Sequence, residues 1–390
     1  MNKKENKSKI AIVAVGYNRL NSMMRLLSSL DKACYKTNDV PLVISIDASG
    51  DEELYSYVKE YKWRHGDKYV IIHTKRMGLK NHIFSCGDLT KFFRAIILLE
   101  DDLFVSPYFY HYVKQTLDYY GEERSAACIG LYSYTSNIYA TLPFNPLQTK
   151  YDVYGIQATI TWGECWNERM WNDFKDWLSI NEPIDWTKLD IPDNVKNFKR
   201  AWSKYFTAYL SVTNRFVIAP YKSYTTNFSE SGEHRSVTDT CVQVPIVRRE
   251  ESFQFGPVES LVRYDSFFNP VGMETYLQLN SKDLYVDFYS LRPNNRNCRY
   301  LLTTDRLSYK CIKSFALTVK PIEVNVIDGL EGNGIYLYDL KVVDKSIKTD
   351  INTLDSISYR LEMFRPRLLK KFVLAYIKQS VCNKFKTLVK

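Results

Sequence analysis

The sequence lacks several features that would assign it to a common class of protein. It has no apolar run of about 18 residues, so we expect no membrane-spanning helix. It has no G-x-x-x-x-G-K-[ST] loop, and no G-x-G-x-x-G follows its first predicted strand, which argues against a P-loop NTPase and a dinucleotide-binding oxidoreductase. Its eight cysteines lie far apart with no C-x-x-C pair, which argues against a zinc ribbon and a dense disulfide framework. We therefore expect free thiols in a reducing compartment.

Positive charge is concentrated at the C-terminal end. The 390-residue chain has a formal charge of +9, but residues 361–390 alone hold eight Lys or Arg and one Glu, a net charge of +7. Whole-chain basicity therefore gives no support to nucleic-acid binding, and we expect no nucleic-acid partner.

The tail 361–390 interleaves apolar residues such as Leu368, Phe372 and Phe385 with lysines. The pattern is typical of a basic amphipathic helix on an anionic membrane surface; a helix that binds a partner protein and a solvated cationic tail are the alternatives. Near the N-terminus, the run "IAIVAV" is too short for a signal peptide. These observations predict a cytoplasmic protein with peripheral contact to the inner face of the cell membrane.

The first 130 residues alternate between short apolar strands and amphipathic helices. The predicted strands are "KIAIVAVGYN", "VPLVISIDASG", "KYVIIHT" and "RAIILLEDD". This alternation predicts an α/β fold with a mostly parallel sheet flanked by helices. We predict one such domain over residues 1–250, with halves at about 8–130 and 131–250. A β-rich extension at 251–350 and a basic helical tail at 351–390 follow.

Polar groups follow three of these strands. Asn18 and Arg19 follow the first, Asp47 ends the second, and Glu100, Asp101 and Asp102 end the fourth. Ligands of open α/β sheets bind beyond the carboxyl ends of the strands, so we expect these groups to face one crevice.

Three adjacent acids repel one another, and a divalent cation relieves that repulsion. Oxygen ligands suit Mg²⁺ or Mn²⁺, and Mg²⁺ usually combines one or two carboxylates with substrate phosphates. The acids therefore predict a diphosphate-bearing ligand. The alternative is that they stabilise the first turn of a helix in "LFVSPYFYHYV".

The stretch "EDDLFVSPYFY", together with Asn18-Arg19 and the run Asp47-Ala48-Ser49-Gly50, resembles the GT-A glycosyltransferases related to N-acetylglucosaminyltransferase I. The resemblance covers roughly residues 8 to 240 and implies a GT-A (Rossmann-like) fold. It implies a nucleotide-diphosphate sugar donor, a glycan or lipid-linked glycan acceptor, and Mn²⁺ or Mg²⁺ as cofactor.

The resemblance also implies roles for individual residues. Asp102 coordinates the metal, Asp101 contacts the donor ribose and Glu100 the sugar side. Arg19 and Asp47 hold the nucleotide. Lys80 and His82, in "GLKNHIF", are candidates for further contacts with the donor. His234, in "NFSESGEH", is a candidate for contact with the metal or the diphosphate.

The catalytic base is where the sequence departs from the family. An inverting transferase needs a carboxylate that takes the acceptor proton, and the family has an Asp in a W-D-D-W block. The counterpart here, residues 201–205 ("AWSKY"), has no acid. The stretch "TWGECWNERMWNDF" offers Glu164, Glu168 and Asp173. We favour Glu164 because Gly163 precedes it; the alternative for each of the three is a solvated helix acid. Of the nearby tryptophans, Trp162 is the candidate for stacking on a sugar.

The sequence therefore predicts a hexosyl- or N-acetylhexosaminyltransferase, inverting by resemblance, in surface polysaccharide synthesis. One alternative is a non-catalytic sugar-binding or scaffold protein on a degenerate transferase fold, which the missing acid at 201–205 favours. Another is a nucleotidyltransferase, although "GYNRLNS" is not the Gly-rich basic loop that those enzymes usually carry after the first strand.

Overall fold

The structure is a computed structural model that describes residues 6–199, 201–228, 242–293, 298–351 and 354–360, with the isolated positions 369, 370, 373, 374 and 377. The candidate ligand His234 and most of the predicted tail lie outside these described residues.

The N-terminal part alternates strands and helices as predicted, because each predicted strand is followed by an amphipathic segment. The elements are β1 Ile10–Gly16, α1 Leu20–Asp31, β2 Leu42–Ile46, α2 Glu52–Glu60, β3 Lys68–Ile72, α3 Leu79–Gly87 and β4 Ala95–Glu100. Every residue of β1 and β2 is buried, as expected for strands covered by helices on both faces. In α1, Met23, Leu26, Leu27 and Leu30 form the buried face.

The middle part adds shorter strands and four helices, of which one is a single turn. They are β5 Leu103–Val105, α4 Phe109–Tyr120, β6 Ala126–Gly130, β7 Ser136–Asn137, β8 Leu142–Pro143, β9 Val153–Ile156, β10 Glu164–Asn167, α5 Glu168–Asn181, the single turn α6 Asp193–Lys196, α7 Ser203–Thr213, β11 Phe216–Pro220 and β12 Thr225–Asn227. Aromatic packing holds α5 and α7 against the sheet, since the rings of Trp166, Trp171 and Trp202 are almost completely buried. Of the four tryptophans between residues 162 and 177, Trp166 and Trp171 are therefore core, and Trp162 and Trp177 are partly buried against it.

The C-terminal part is β-rich, as predicted. It contains β13 Arg263–Tyr264, α8 Met273–Leu277, β14 Leu284–Asp287, β15 Tyr300–Thr303, β16 Tyr309–Ala316, α9 Val324–Ile327, β17 Gly334–Val343 and α10 Leu354–Arg360. Four of these strands form a separate, largely antiparallel sheet in the order β14-β15-β17-β16.

One large sheet of nine strands organises the fold, in the order β13-β9-β11-β6-β10-β4-β1-β2-β3. Strand β1 lies parallel between β2 and β4, so these three strands end at the same edge. Strand β10 runs antiparallel between β4 and β6 and brings the residues before it to that same edge. The structure thus has a mixed α/β architecture with a mostly parallel central sheet flanked by helices, as predicted.

The large sheet extends beyond residue 250, where we placed the end of the first domain. Strand β13 pairs in parallel with β9 and forms the edge of the nine-stranded sheet. Arg292 pairs with Asp265, just after β13, and at 2.5 Å with Asp190, which precedes α6. Residues on both sides of the predicted boundary therefore belong to one packed unit. Within the described residues, no helix is long and apolar enough to cross a membrane.

Candidate functional site

The carboxyl ends of β1, β2 and β4 bring the predicted polar groups to one edge of the sheet. Gly16 pairs with Ile46, and Val15 pairs with Glu100, so the residues after these positions are neighbours. The backbone N–H of Asp47 donates to Gly16 O at 3.0 Å, which joins the ends of β1 and β2. The residues Arg19, Asp47, Glu100, Asp101 and Asp102 therefore line one strand-end region, as the sequence predicted.

Arg19 neutralises part of the acidic cluster. Its Nε donates to Asp101 Oδ2 at 3.2 Å, its Nη2 donates to Asp101 Oδ1, and Nη2 lies 3.3 Å from Asp102 Oδ2. Burial opposes the charge of Arg19, but the charges of Asp101 and then Asp102 hold the pKa of its guanidinium above the usual value. Asp101 is buried, whereas the side chain of Asp102 keeps 20% of its surface exposed. Asp102 is therefore the acid of this Arg19-bound pair that is more open to a ligand.

Glu100, which is half-buried, and Glu164, which is buried, are two carboxyl groups close to this cluster. Burial, and then the charges of Asp102 and Asp101, raise the pKa of Glu100 to about 8. Glu164 faces Leu98 of β4 and Gly130 of β6 across the antiparallel strand, and only 1% of it is exposed. Burial, and then the charge of Glu100, raise the pKa of Glu164 well above its usual value.

A general base must be ionised and must reach the acceptor hydroxyl. Neither carboxylate oxygen of Glu164 has a donor in good hydrogen-bond geometry within the described residues. The backbone N–H of Ile160 lowers the pKa of Glu164, but by less than burial raises it. In this arrangement Glu164 is a neutral, enclosed acid beside Glu100, which does not favour it as the base.

Asp173, the other acid proposed as a base, lies away from this edge. Its carboxylate pairs with Arg169 at 3.1 Å and with Arg215 at 2.5 Å. Arg169 also donates to the carbonyls of Gly121 and Ala126, which precede or begin β6 at the opposite edge of the sheet. The prediction of a catalytic Asp173 is therefore corrected: this acid belongs to an ion-pair cluster that fixes α5 to the sheet.

Asp47 organises the turn that precedes α3. Its carboxylate accepts from the backbone N–H groups of Ala48 at 2.9 Å, Met77 at 2.8 Å and Gly78 at 2.9 Å. Burial raises the pKa of Asp47, but these three hydrogen bonds outweigh it, and the net pKa is lowered. Asp47 thus holds the start of α3 beside the strand-end region.

His82 points into the fold from α3. Ser45 Oγ and His82 Nε2 lie 2.8 Å apart, and the residue is 3% exposed. Burial, and then the neighbouring His73, lower the pKa of His82 to about 4, although Asp47 opposes this shift. The imidazole is therefore a neutral, buried group that contacts Ser45 just before the end of β2, and it has little exposed surface with which to contact a donor.

A second group of residues meets where α3 and α7 begin, and the sequence predicted only one of them. Lys80 Nζ lies 3.1 Å from Glu182 Oε1 and 3.9 Å from the centroid of the Tyr205 ring. Lys204 Nζ lies 4.2 Å from the centroid of Trp186 and 5.4 Å from that of Tyr205. The available signal was "AWSKY", where an acid was expected and a lysine stands instead.

Aromatic rings line the loop before β10. The ring of Trp162 lies 4.6 Å from that of Tyr132 and 5.7 Å from that of Tyr134, and Thr225 Oγ1 donates to the Trp162 carbonyl at 2.5 Å. Gly163 has a φ of +106°, a conformation that favours glycine. The turn holds Trp162 half-buried, so one ring is kept near the end of β4.

The carboxylates fit part of a divalent-cation site. Within the described residues no group of three or more His, Cys, Asp or Glu side chains is arranged to hold a metal ion. Asp101 and Asp102 nevertheless share the guanidinium of Arg19, and the oxygen donors of Asp102 suit Mg²⁺ or Mn²⁺ with the remaining ligands from phosphates. The arrangement can thus hold a cation together with an anionic ligand.

Comparisons with known proteins give a distant similarity of fold. No protein-family model and no curated protein sequence matches the chain. The crystal structure of S. aureus TarS 1–349 in complex with UDP-GlcNAc is similar over 58% of this chain and 60% of that chain, with 15% identity and a TM-score of 0.38. The mannosyltransferase PcManGT from Pyrobaculum calidifontis, in complex with GDP-Man and Mn²⁺, is similar over 55% of either chain, with 8% identity and a TM-score of 0.37.

A third similar structure is GalNAc-T7 with UDP, GalNAc and Mn²⁺. The similarity covers 56% of this chain and 43% of that chain, with 15% identity and a TM-score of 0.39. The chain thus spans less than two thirds of each of these three proteins. At these TM-scores the similarity carries no argument about function.

Proposed function

We propose that this chain is a metal-dependent glycosyltransferase that moves a sugar from a nucleotide-diphosphate sugar to a glycan or lipid-linked glycan. One observation carries the proposal: Glu100-Asp101-Asp102, in a block that resembles the metal motif of the N-acetylglucosaminyltransferase I family, ends β4 beside Arg19 and Asp47. This is the edge of an α/β sheet where ligands bind.

In this proposal, the charge of each described residue determines its role. Asp102, with part of its carboxylate exposed, holds the divalent cation, for which His234 remains a further candidate ligand. The bound cation supplies charge stabilisation for the departing nucleotide diphosphate. Arg19 binds Asp101 and holds it in place for the donor ribose, and Glu100 faces the sugar side. Asp47 holds the turn at Met77 and Gly78 and thereby the start of α3.

Inversion at the anomeric carbon, a hexosyl or N-acetylhexosaminyl donor, and a place in surface polysaccharide synthesis are further parts of the proposal that rest on the resemblance. Inversion requires a base, and Glu164 can serve only if donor binding opens a path from the acceptor hydroxyl to its carboxylate. Membrane contact through 361–390 is proposed from the basic tail. Leu369, Val373, Leu374 and Ile377 are exposed apolar side chains within it. Sedimentation with anionic but not neutral vesicles is the expected result.

A specific observation favours a second candidate, a non-catalytic protein that binds a nucleotide sugar. Glu164 is neutral and enclosed, Asp173 is engaged at the opposite edge, and residues 201–205 contain no acid. Such a protein would bind the donor without transferring it.

A thermal-shift screen of nucleoside diphosphates with and without Mn²⁺ tests the proposal. A nucleotide that raises the melting temperature only with metal supports the donor site, and release of free nucleoside diphosphate from its sugar conjugate supports catalysis. Binding without release selects the non-catalytic candidate. Absence of metal-dependent nucleotide binding contradicts both, and release of pyrophosphate from a nucleoside triphosphate would point to a nucleotidyltransferase.

A further inference from the structure

Two lysines from different helices converge on one aromatic ring. Lys80 lies in the first turn of α3 and Lys204 in the first turn of α7, and both ammonium groups lie within 5.4 Å of the centroid of Tyr205. Helix α3 begins at the carboxyl-end edge of the large sheet, after the turn that Asp47 holds, and its Lys80 also pairs with Glu182. Helix α7 begins beside it, since Lys80 and Lys204 both contact Tyr205. The cluster is therefore near the strand-end region but is built from other residues.

The side chain of Lys204 is largely buried, and its ammonium group has no anionic partner among the described residues. Only 8% of the residue is exposed, and no carboxylate in the described part of the chain pairs with its ammonium group. Its ammonium group lies 4.2 Å from the centroid of the Trp186 ring, and a cation–π contact replaces only part of the lost hydration. Burial, and then the charge of Lys80, lower the pKa of Lys204.

The surroundings increase the positive potential rather than balance it. Glu182 pairs with Lys80, which leaves the charge of Lys204 uncompensated. Helix α7 places its N-terminal end here, and its N-cap residue, Trp202, makes no side-chain hydrogen bond to the first turn. The N-terminal end of a helix carries partial positive charge and disfavours a lysine, unless an anion is bound.

We propose that Lys204, Lys80 and the N-terminal end of α7 form a phosphate-binding subsite for a phosphate group on the acceptor. The assignment to the acceptor, rather than to the donor diphosphate, rests on the proposed function. It follows from the position of Lys204 in residues 201–205, the block that corresponds by resemblance to the one that holds the family's base for the acceptor. A phosphate group offers several oxygens to donors that come from two helices, and it balances a positive charge that has no anionic partner among the described residues.

Inorganic phosphate is the probe, titrated into the full chain by calorimetry and in thermal unfolding. The wild type is expected to bind phosphate saturably, and Lys204→Met to weaken binding by about tenfold or more, while Lys204→Arg keeps binding within about threefold. Lys188→Met removes an exposed lysine from the same region and should change nothing. Lys204→Met is also expected to raise the melting temperature without phosphate, because it removes, from a largely buried side chain, a charge that has no anionic partner among the described residues. A lower melting temperature or unchanged phosphate binding in this variant would overturn the subsite.

The same titration with saturating nucleoside diphosphate and Mn²⁺ separates the acceptor from the donor. Phosphate binding that persists beside the nucleotide supports the acceptor assignment, and displacement of phosphate by the nucleotide overturns it. If no nucleotide binds but phosphate binding still depends on Lys204, the proposed donor site fails while the phosphate subsite stands.

Discussion

Arg19 binds Asp101 through two nitrogens and also reaches Asp102, so it ties the end of β1 to the end of β4. The protein itself therefore neutralises one of the three acids that the sequence places side by side. As a result, a bound cation has to balance only the negative charge that remains on the other acids.

The Arg19–Asp101 pair should contribute to folding. Arg19→Met leaves the buried carboxylate of Asp101 without its guanidinium, and we expect the free energy of unfolding to fall by about 3 kcal/mol. Urea denaturation measures this change. Arg64→Met is the matched control, because Arg64 pairs with Asp31 but has 66% of its side chain exposed, and should cost less than about 1 kcal/mol. Equal losses in the two variants would contradict a structural role for the pair.

Asp102→Asn should separate ligand binding from folding. The variant keeps the shape of the side chain and leaves the Arg19–Asp101 bonds in place, so the free energy of unfolding should change by less than about 1 kcal/mol. Stabilisation by a nucleoside diphosphate with Mn²⁺ should disappear in thermal unfolding. Asp173→Asn, at the opposite edge of the sheet, is expected to keep that stabilisation. Metal-dependent binding that survives in Asp102→Asn would remove Asp102 from the metal site.

His82 should make stability depend on pH. Its pKa falls from 6.5 to about 4 on folding, so between these values the unfolded chain binds a proton that the folded chain does not. The free energy of unfolding should therefore rise with pH across this window, by about 3 kcal/mol in total, and lose this contribution as pH falls. Urea denaturation of the wild type and His82→Gln, from pH about 4 to pH about 7, measures the difference. A pH-independent difference between the two would contradict the buried neutral imidazole.

The turn at Gly163 should tolerate alanine poorly. A Cβ there would lie 3.0 Å from Thr225 Cγ2 and 3.2 Å from Leu131 Cβ, at a φ of +106°. Gly50 also has a positive φ, +76°, but a Cβ there meets nothing within 4 Å. Gly50→Ala should cost about 1 kcal/mol of unfolding free energy, and Gly163→Ala about 1–2 kcal/mol more. Chemical denaturation of both variants checks this, and equal costs would mean that the turn relaxes freely.

Local pattern was enough to predict the sheet core and the strand-end acids. Continuous apolar strands such as β1 and β4 have one stable environment, between two layers of helices, and the residues after them must then share an edge. The pairing of Arg19 with Asp101 was not predictable, since an arginine beside acids at a strand end can bind either a ligand or those acids.

The surroundings of Glu164 and Asp173 depend on tertiary contacts that the local sequence does not predict in full. Strand β10 has only four residues, "ECWN", and its antiparallel insertion between β4 and β6 is a tertiary event that encloses Glu164. For Asp173 a local signal did exist, because Arg169 stands four residues earlier on the same helix, a spacing typical of a helical ion pair. The second partner, Arg215, comes from a distant segment.

Strand β13 completes the large sheet from within the C-terminal part, and Arg292 clamps Asp190 and Asp265 together from the same side. A truncation at residue 250 would therefore remove the neighbour of β9 and leave the carboxylate of Asp190 without its arginine. The two parts of this protein share one sheet, and any shortened version prepared for biochemistry has to contain both.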